Sequence, residues 1–233
     1  MTISEKAWGN YIARLRKIND TAVKAMVKRL EYVDLAAIPD HERTEIIKYA
    51  YALTQKYGEA SAALSCEMYD ALAELTGGTI LPAEPAELAT YQEVAKAVNG
   101  TIKTGNKDIV SQAIGRIVKM TGVDTTMYNA IRDGAEWAWI PRGETCAFCI
   151  TLASRGWQRA TRQALKNGHA EHIHANCDCT YAIRFDDSEV SGYNPDAYAR
   201  MYYGAEGSTP KQKINAMRRM FYAETKSEET DIT

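Results

Sequence analysis

Apolar residues recur at helical spacing through most of the first 135 positions. Within residues 5–35 they return at steps of three, four or seven with lysine and arginine between them, which predicts one long amphipathic helix. Proline and glycine divide the rest of this region into shorter segments, since proline lacks an amide donor and glycine commonly ends a helix. The predicted further helices cover about 40–57, Gly58 to about 75, 86–98, 107–121 and 125–134.

The pattern changes at Glu136. Residues 137–141 and 180–185 alternate with a period of two, as short strands do. Residues 149–167 between them return to helical spacing, and a last amphipathic helix is expected at about 210–224. The predicted fold class is therefore mainly α, with a small α+β module and a C-terminal helix. The predicted parts are a helical region (1–135), the Cys/His module (136–190), and a loop, helix and polar tail (191–233).

Composition places the chain among globular proteins. Of its 233 residues 45% are hydrophobic and 25% charged, and the net charge of -2 gives no global argument for nucleic-acid binding. The opening residues lack the apolar stretch of a secretory signal, and the apolar runs are far shorter than the roughly 20 residues of a membrane span. We therefore expect a protein made in a reducing cytosol, without a membrane partner.

Cysteines cluster in the second half of the chain. Cys146 and Cys149 form a Cys-x-x-Cys pair, Cys177 and Cys179 form a Cys-x-Cys pair, and His174 stands three residues before Cys177. A Cys-x-x-Cys turn lets two thiolates reach one ion, and an extended chain would project Cys177 and Cys179 from the same side. The pattern predicts structural Zn²⁺ bound by Cys146, Cys149 and Cys179, with either Cys177 or His174 as the fourth ligand.

Disulfide pairing and inert buried thiols are the alternatives to zinc. A reducing compartment argues against the disulfide, and the clustering of four cysteines in a chain that has one other argues against inert thiols. The two candidate strands each adjoin one half of the cluster. Neighbouring strands would bring the halves together.

The histidines raise a second function. His169, His172 and His174 with nearby Asn176 suggest a zinc-stabilised His-Asn-His nuclease, but no further histidine follows Cys179 to complete a hydrolytic site. The chain also has no phosphate-binding glycine loop, nucleophile elbow or distinctive carboxylate pair. We therefore expect no enzymatic activity.

Basic residues follow the first cysteine pair at helical spacing. They are Arg155, Arg159, Arg162 and Lys166. Such a stripe can contact phosphate, although a solvated helix face is the commoner role. DNA is thus a candidate partner through these four side chains.

One part of the sequence resembles a known family. The run from Pro141 to Gly156, which contains Cys-Ala-Phe-Cys and Leu-Ala-Ser-Arg-Gly, together with His174-Ala-Asn-Cys177-Asp-Cys179, resembles the MuF-like minor head proteins of tailed bacteriophages. The upstream segments Tyr57-Gly-Glu-Ala-Ser-Ala-Ala and Met68-Tyr69-Asp70 are also similar to the helical part of that family. The resemblance covers roughly residues 45–185.

The resemblance implies a virion protein that assists head assembly, DNA packaging or DNA delivery. Its implied partners are the portal protein and other head proteins. Its implied location is the capsid interior or portal region of the virion, and the host cytoplasm during assembly. The alternatives are the zinc-stabilised nuclease described above and a cytosolic zinc-ribbon adaptor with no viral role.

Overall fold

The computed structural model describes residues 2–142, 145–163 and 177–230, with side chains described from residue 4 to residue 221 within those ranges. The helices are α1 (Glu5–Leu30), α2 (Asp40–Leu75), α3 (Tyr91–Ile102), α4 (Lys107–Asp133), α5 (Ala147–Ala153), α6 (Pro195–Gly204) and α7 (Pro210–Thr230). The strands are β1 (Thr2–Ile3), β2 (Glu136–Ile140), β3 (Gln158–Arg159), β4 (Thr180–Arg184) and β5 (Glu189–Val190). The predicted mainly helical fold with a small sheet and a C-terminal helix is confirmed. No helix in the described ranges is long and apolar enough to cross a membrane.

Helix α2 is continuous where the sequence predicted two helices divided at Gly58. The glycine is buried, and a Cβ atom there would lie 3.2 Å from Leu88 and 3.3 Å from Thr121. Gly58 therefore allows close packing against neighbouring segments and does not end the helix. The predicted break at Gly58 was wrong. It rested only on the presence of a glycine, whereas the role of this glycine depends on packing against residues distant in sequence.

Helix α4 is also continuous across a predicted break, and it packs against α1, α2 and α3. At Gly122 a Cβ atom would lie 2.6 Å from Ser61 Oγ and 2.8 Å from Ser65 Oγ. The missing side chain thus permits the close approach of α2 and α4.

This contact gives a first testable expectation. Gly122→Ala should lower the free energy of unfolding by about 1–3 kcal/mol, because the added methyl group overpacks the α2–α4 contact. In α3, a Cβ atom at Gly100 meets nothing within 4 Å, so Gly100→Ala should instead stabilise the protein by about 0.5–1 kcal/mol. Urea unfolding of both variants measures the difference. A harmless Gly122→Ala would contradict the tight approach of the two helices.

The segment between α2 and α3 has no regular secondary structure, and side chains of α4 hold its backbone. Asn129 accepts a hydrogen bond from the Glu84 amide at 3.0 Å and donates one to the Glu84 carbonyl at 2.8 Å, while Thr125 accepts from the Ala86 amide at 3.0 Å. These bonds hold residues 84–86 outside α3, and Thr90 with Glu93 forms a capping box at its start. Helix α3 consequently begins only after its cap, Thr90, and not at residue 86 as predicted.

The predicted strands are present and pair with each other. Strands β2 and β4 are antiparallel, and β3 lies on the other edge of β2. Trp139 stands opposite Tyr181. Trp137, two residues earlier on β2, lies on the same face of the sheet. The Tyr181 ring makes edge contacts with both indoles, at centroid distances of 4.8 Å and 4.6 Å. A separate parallel pair, β1 with β5, places the amino terminus beside residues 189–190.

Helix α6 lies in the segment after residue 190 where the sequence predicted a loop before the C-terminal helix. Asn194 caps it by accepting a hydrogen bond from the Ala197 amide at 3.1 Å, and Pro195 takes the first helical position. Proline is favoured there because its missing amide would have no helical partner. Asn194 and Pro195 therefore begin a helix within the segment that was predicted to be a loop.

The main hydrophobic core extends across residue 135, the first predicted boundary. It combines Trp8 of α1, Leu64 of α2 and Met127 of α4 with Trp139 and Cys179 of the sheet region. A second cluster lies among α1, α2, α3 and α4, and a third joins α5 to the C-terminal helices. The division into three folding units remains a prediction. The helical region and the 136–190 module share one hydrophobic core.

Candidate metal centre

The secondary structure places the two cysteine pairs side by side. Cys146 is the N-cap of α5 and Cys149 lies in its first turn, whereas Cys177 and Cys179 immediately precede β4. Because α5 follows β2 along the chain and β2 pairs with β4, the two halves of the pattern converge at one end of the sheet. The strand pairing predicted from sequence thus brings the cysteine pairs together.

Three thiols form a compact donor set. The sulfur atoms of Cys149, Cys177 and Cys179 all lie within 4.8 Å of one another, and the Cys149–Cys177 distance is 3.2 Å. The side chain of Cys146 also hydrogen-bonds to Cys149. Four sulfurs arranged tetrahedrally around zinc at bond lengths of about 2.3 Å would be about 3.8 Å apart. The spacing and the soft donors suit a metal ion, and the cluster could hold one.

The cluster is shielded from solvent and receives backbone hydrogen bonds. Cys149 and Cys179 are 0% exposed and Cys177 is 8% exposed. The amide of Arg142 donates to the Cys179 sulfur, and the amide of Cys179 donates to the Cys177 sulfur. Amides that point at sulfur stabilise thiolate ligands, and burial favours a closed site.

The thiols strongly affect each other's protonation. Hydrogen bonds with Cys146 and Cys177 raise the pKa of Cys149 above its ordinary value. The hydrogen bond with Cys149, assisted by the positive charge of Lys119, lowers the pKa of Cys177. One thiolate therefore forms at the expense of its neighbours, since adjacent negative charges repel. A divalent cation would remove that repulsion and displace the remaining protons.

Of the predicted cysteine ligands, the structure brings Cys149, Cys177 and Cys179 into the compact set, and Cys146 hydrogen-bonds to Cys149. His174 lies outside the described residues, as do His169 and His172. Cys66 is half-buried in α2 and does not belong to the set.

A contact with α1 anchors the second cysteine pair. Asp178, between Cys177 and Cys179, forms an ion pair with Arg16 of α1 at 3.1 Å. A cavity of about 70 Å³ lies beside this contact and is lined by residues of α1, α4 and the Cys177–Thr180 segment. Sequence reasoning missed the ion pair because its partners are 162 positions apart and nothing local signals it.

A buried arginine connects the sheet to β5. Arg184 is 9% exposed, and its guanidinium lies 2.9 Å from a carboxylate oxygen of Glu136 and 2.9 Å from one of Glu189. The same group lies over the Trp157 ring at 4.3 Å, and the Trp157 indole donates to Glu189 at 2.9 Å. A buried guanidinium requires such partners because desolvation is costly. This network holds the turn after α5 against the sheet.

The predicted basic helix is wrong. Helix α5 ends at Ala153, Gly156 adopts a left-handed φ of 65°, and β3 then pairs with β2. Arg155 therefore lies in a turn and Arg159 on a strand, so the basic residues do not form one helical stripe. Arg155, Arg159 and Arg162 are exposed, and Lys166 lies outside the described residues. DNA contact through this set stays a prediction.

A shielded carboxylate on α4 should affect stability. Burial raises the pKa of Asp124 to about 6. Because the folded value exceeds the unfolded value of about 3.9, the native state binds the proton more tightly, and stability should fall as pH rises from about 4 to about 6. Asp124→Asn should remove this fall and raise the free energy of unfolding at pH 7 by about 2 kcal/mol.

Urea unfolding between pH 4 and pH 7 tests this expectation. The quantity compared is the free energy of unfolding of the variant minus that of the parent at each pH. Asp187→Asn, at an exposed carboxylate, is the control and should leave the pH dependence unchanged. Parallel pH profiles of the parent and Asp124→Asn would show that this group does not titrate in that range.

Together these features define a mainly helical protein with a small sheet and a cluster of buried thiols that could hold a metal ion. A family model described as VG15 protein matches residues 2–205, from β1 to the end of α6. The chain belongs to the VG15 protein family, and this membership indicates a phage-encoded protein. No curated protein and no solved structure gives a significant match to the chain.

Proposed function

We propose that this protein is a minor head protein of a tailed phage, related to the MuF-like morphogenesis proteins, and that it acts without catalysing a reaction. The observation that carries the proposal is the match to a phage protein family across residues 2–205. The order of upstream helices, Cys-x-x-Cys and Leu152-Ala-Ser-Arg-Gly156 supports the finer assignment. The closed, buried character of the thiol cluster favours a structural role over a reaction centre.

The proposed metal is structural Zn²⁺. Cys146, Cys149, Cys177 and Cys179 would supply four thiolate ligands, a set typical of closed tetrahedral zinc sites. His174 remains the alternative to Cys177. When bound, the ion would neutralise the clustered thiolates and connect α5 to the segment before β4.

Metal content tests the zinc assignment. Protein purified under reducing conditions should contain about one zinc per chain by elemental analysis. Cys177→Ser should lower that content sharply, whereas His174→Ala should leave it unchanged. The reverse result would assign the fourth position to His174. Substoichiometric metal together with five reactive thiols would remove the zinc proposal.

The proposed partners are the portal protein and other head proteins. The proposed location is the capsid interior or portal region, and the host cytoplasm during assembly. The tagged full chain should capture the portal protein of its own genome from an infected-cell lysate, and mass spectrometry should find the chain in purified virions. A major tail protein serves as the negative control for capture. Two results together would contradict the proposal: purified virions that do not contain this protein, and normal virion assembly after deletion of its gene.

The nuclease alternative depends on His172 and His174, which lie outside the described residues. Nothing in the described part of the chain favours it over a structural site. Plasmid nicking that requires a metal ion and is lost in His174→Ala, with the fold retained, would restore it.

A further inference from the structure

Positive charge is concentrated on α1. The helix contains seven lysines and arginines against two acidic residues, Glu5 and Asp20, a net charge of +5. The whole chain has a net charge of -2, so the remainder of the molecule is acidic. The excess on α1 is therefore a local property that the overall composition conceals.

The arginines and lysines of α1 have different surroundings. Arg14 pairs with Glu67 at 3.0 Å and Arg16 pairs with Asp178 at 3.1 Å, so these arginines attach the helix to the rest of the protein. Four lysines are exposed and form no ion pair with any side chain that the structure describes: Lys6, Lys17, Lys24 and Lys28. Their charges are available to a partner.

These four residues, the lysine stripe, follow one line along α1. Their sequence spacings of 11, 7 and 4 place them within an arc of about 40° at about 100° per residue. At about 1.5 Å per residue the stripe extends for about 33 Å. Trp8, Tyr11 and Met26 lie on the opposite, buried side of the helix. Asp20 and Glu31 stand at its margin, and Asp20 is near Arg16 at 3.8 Å.

Helix α4 adds a further cation at one end of the stripe. Lys24 and Lys28 line a groove that also contains Lys107 and the acidic residues Glu31 and Asp108, so lysines outnumber carboxylates by three to two. Lys107 donates a hydrogen bond to the Glu31 carbonyl at 2.8 Å, which fixes its ammonium group beside the end of α1. The positive surface therefore continues onto the start of α4.

We propose that the lysine stripe binds the phosphate backbone of duplex DNA without sequence preference. Its length of about 33 Å is close to one turn of B-DNA, about 34 Å. Lysine provides a flexible point charge that suits phosphate, and neutralising phosphates releases condensed counterions. Exposed positions between the lysines, such as Asn10, Ala13 and Thr21, are mostly small or polar, with Val27 the larger apolar exception. No exposed aromatic residue of α1 stands between the lysines, and the exposed Tyr32 lies beyond the end of the stripe, whereas protein interfaces usually have aromatic anchors at their centre.

This inference does not depend on the head-protein assignment, because charge and geometry on α1 carry it. It also differs from the sequence-based prediction of DNA contact through Arg155, Arg159, Arg162 and Lys166. The two surfaces are on different elements and can be tested separately.

Fluorescence anisotropy with the full chain and labelled 24-base-pair duplexes of two unrelated sequences tests the proposal. Both duplexes should bind equally, and the logarithm of the binding constant should fall against the logarithm of salt concentration with a slope of about -3 to -4. The triple variant Lys17→Glu, Lys24→Glu, Lys28→Glu should weaken binding by at least about tenfold and reduce the slope by about 3.

The matched control reverses three exposed charges on α7: Lys211→Glu, Arg218→Glu and Arg219→Glu. It changes the net charge equally and should alter affinity by less than about threefold at physiological salt, because distant charges are screened. Circular dichroism verifies that both variants are folded. If the α1 glutamate variant is not folded, the same three lysines are replaced by glutamine. This variant should also bind DNA more weakly than the parent.

Three outcomes would overturn the proposal. Equal weakening in the α7 control would show that total charge, and not the lysine stripe, drives binding. Absence of DNA binding at low salt would remove the proposal directly. Binding to polyglutamate without binding to DNA would assign the lysine stripe to an acidic protein. Each outcome is independent of portal capture, so failure of this inference and failure of the head-protein proposal are distinguishable.

Discussion

We expect Cys149→Ser to abolish metal binding and to destabilise the whole protein. In urea, the helices and the sheet of this variant should unfold together in one transition. The Cys149 sulfur is 0% exposed, lies within 4.8 Å of two other thiols and hydrogen-bonds to Cys146. Serine is a poor zinc ligand, and structural zinc sites contribute directly to folding free energy. Because Cys149 shares a core with Trp8 and Leu64, the loss should reach the helical bundle. We expect the free energy of unfolding to fall by about 5 kcal/mol or more.

Two spectroscopic signals measured during urea unfolding test this expectation. Far-ultraviolet circular dichroism reports the helices, and tryptophan fluorescence reports the core that contains Trp8, Trp137 and Trp139. Coincident transitions at a lower urea concentration than in the parent are expected. Cys66→Ser, at the half-buried thiol outside the cluster, is the control and should cost about 1 kcal/mol or less. A stable helical signal beside a collapsed fluorescence transition would instead support the three independent parts predicted from sequence.

Trp139→Ala should have the second largest effect, a loss of about 3–5 kcal/mol in the free energy of unfolding. The indole is 0% exposed and contacts the Tyr181 ring across the β2–β4 pair. Its removal leaves a cavity at the pairing that brings the cysteine halves together. Differential scanning calorimetry should show a correspondingly lower melting temperature.

Two further variants separate packing from chemistry at this position. Trp139→Phe keeps an aromatic ring and removes an indole nitrogen that has no hydrogen-bond partner among the described residues, so its cost should be less than half that of alanine. Tyr203→Ala removes an aromatic side chain that is 71% exposed and should change stability by less than about 0.5 kcal/mol. Similar losses in Trp139→Ala and Tyr203→Ala would contradict the core role of Trp139.

Helix α1 connects the two proposed activities of the molecule. Arg16 contacts the cysteine segment through Asp178, while its neighbour Lys17 belongs to the solvent-exposed lysine stripe on another side of the same helix. Loss of metal should therefore disturb a helix proposed to bind DNA. Removal of the lysine charges should leave the metal content intact. Metal content and DNA affinity should be measured in the cysteine variants and in the lysine variants. We expect the cysteine variants to lose both and the lysine variants to lose only DNA affinity.

Local patterns predicted the sheet and the cysteine cluster well. Alternation at residues 137–141 and 180–185 is a short-range signal, and β2 and β4 form there. Cysteine spacing is likewise readable along the chain, and three of the four clustered thiols form a compact set with Cys146 beside Cys149. The predictions failed where a residue's role depends on distant neighbours. Gly58 and Gly122 are contact points within helices, and the residues after Gly156 form a strand because β2 is available to pair with them.

By itself the sequence determined the mainly helical composition, the strand pair and the set of candidate thiol ligands, because periodicity and residue chemistry are local properties. Only the tertiary structure decided that Cys177 lies inside the compact thiol set, that Arg16 anchors Asp178, and that the exposed lysines of α1 remain unpaired by the described side chains. Each of these facts depends on which surfaces of different elements meet. That choice is made by burial of the shared core and by pairing of buried polar groups, and sequence spacing does not contain it.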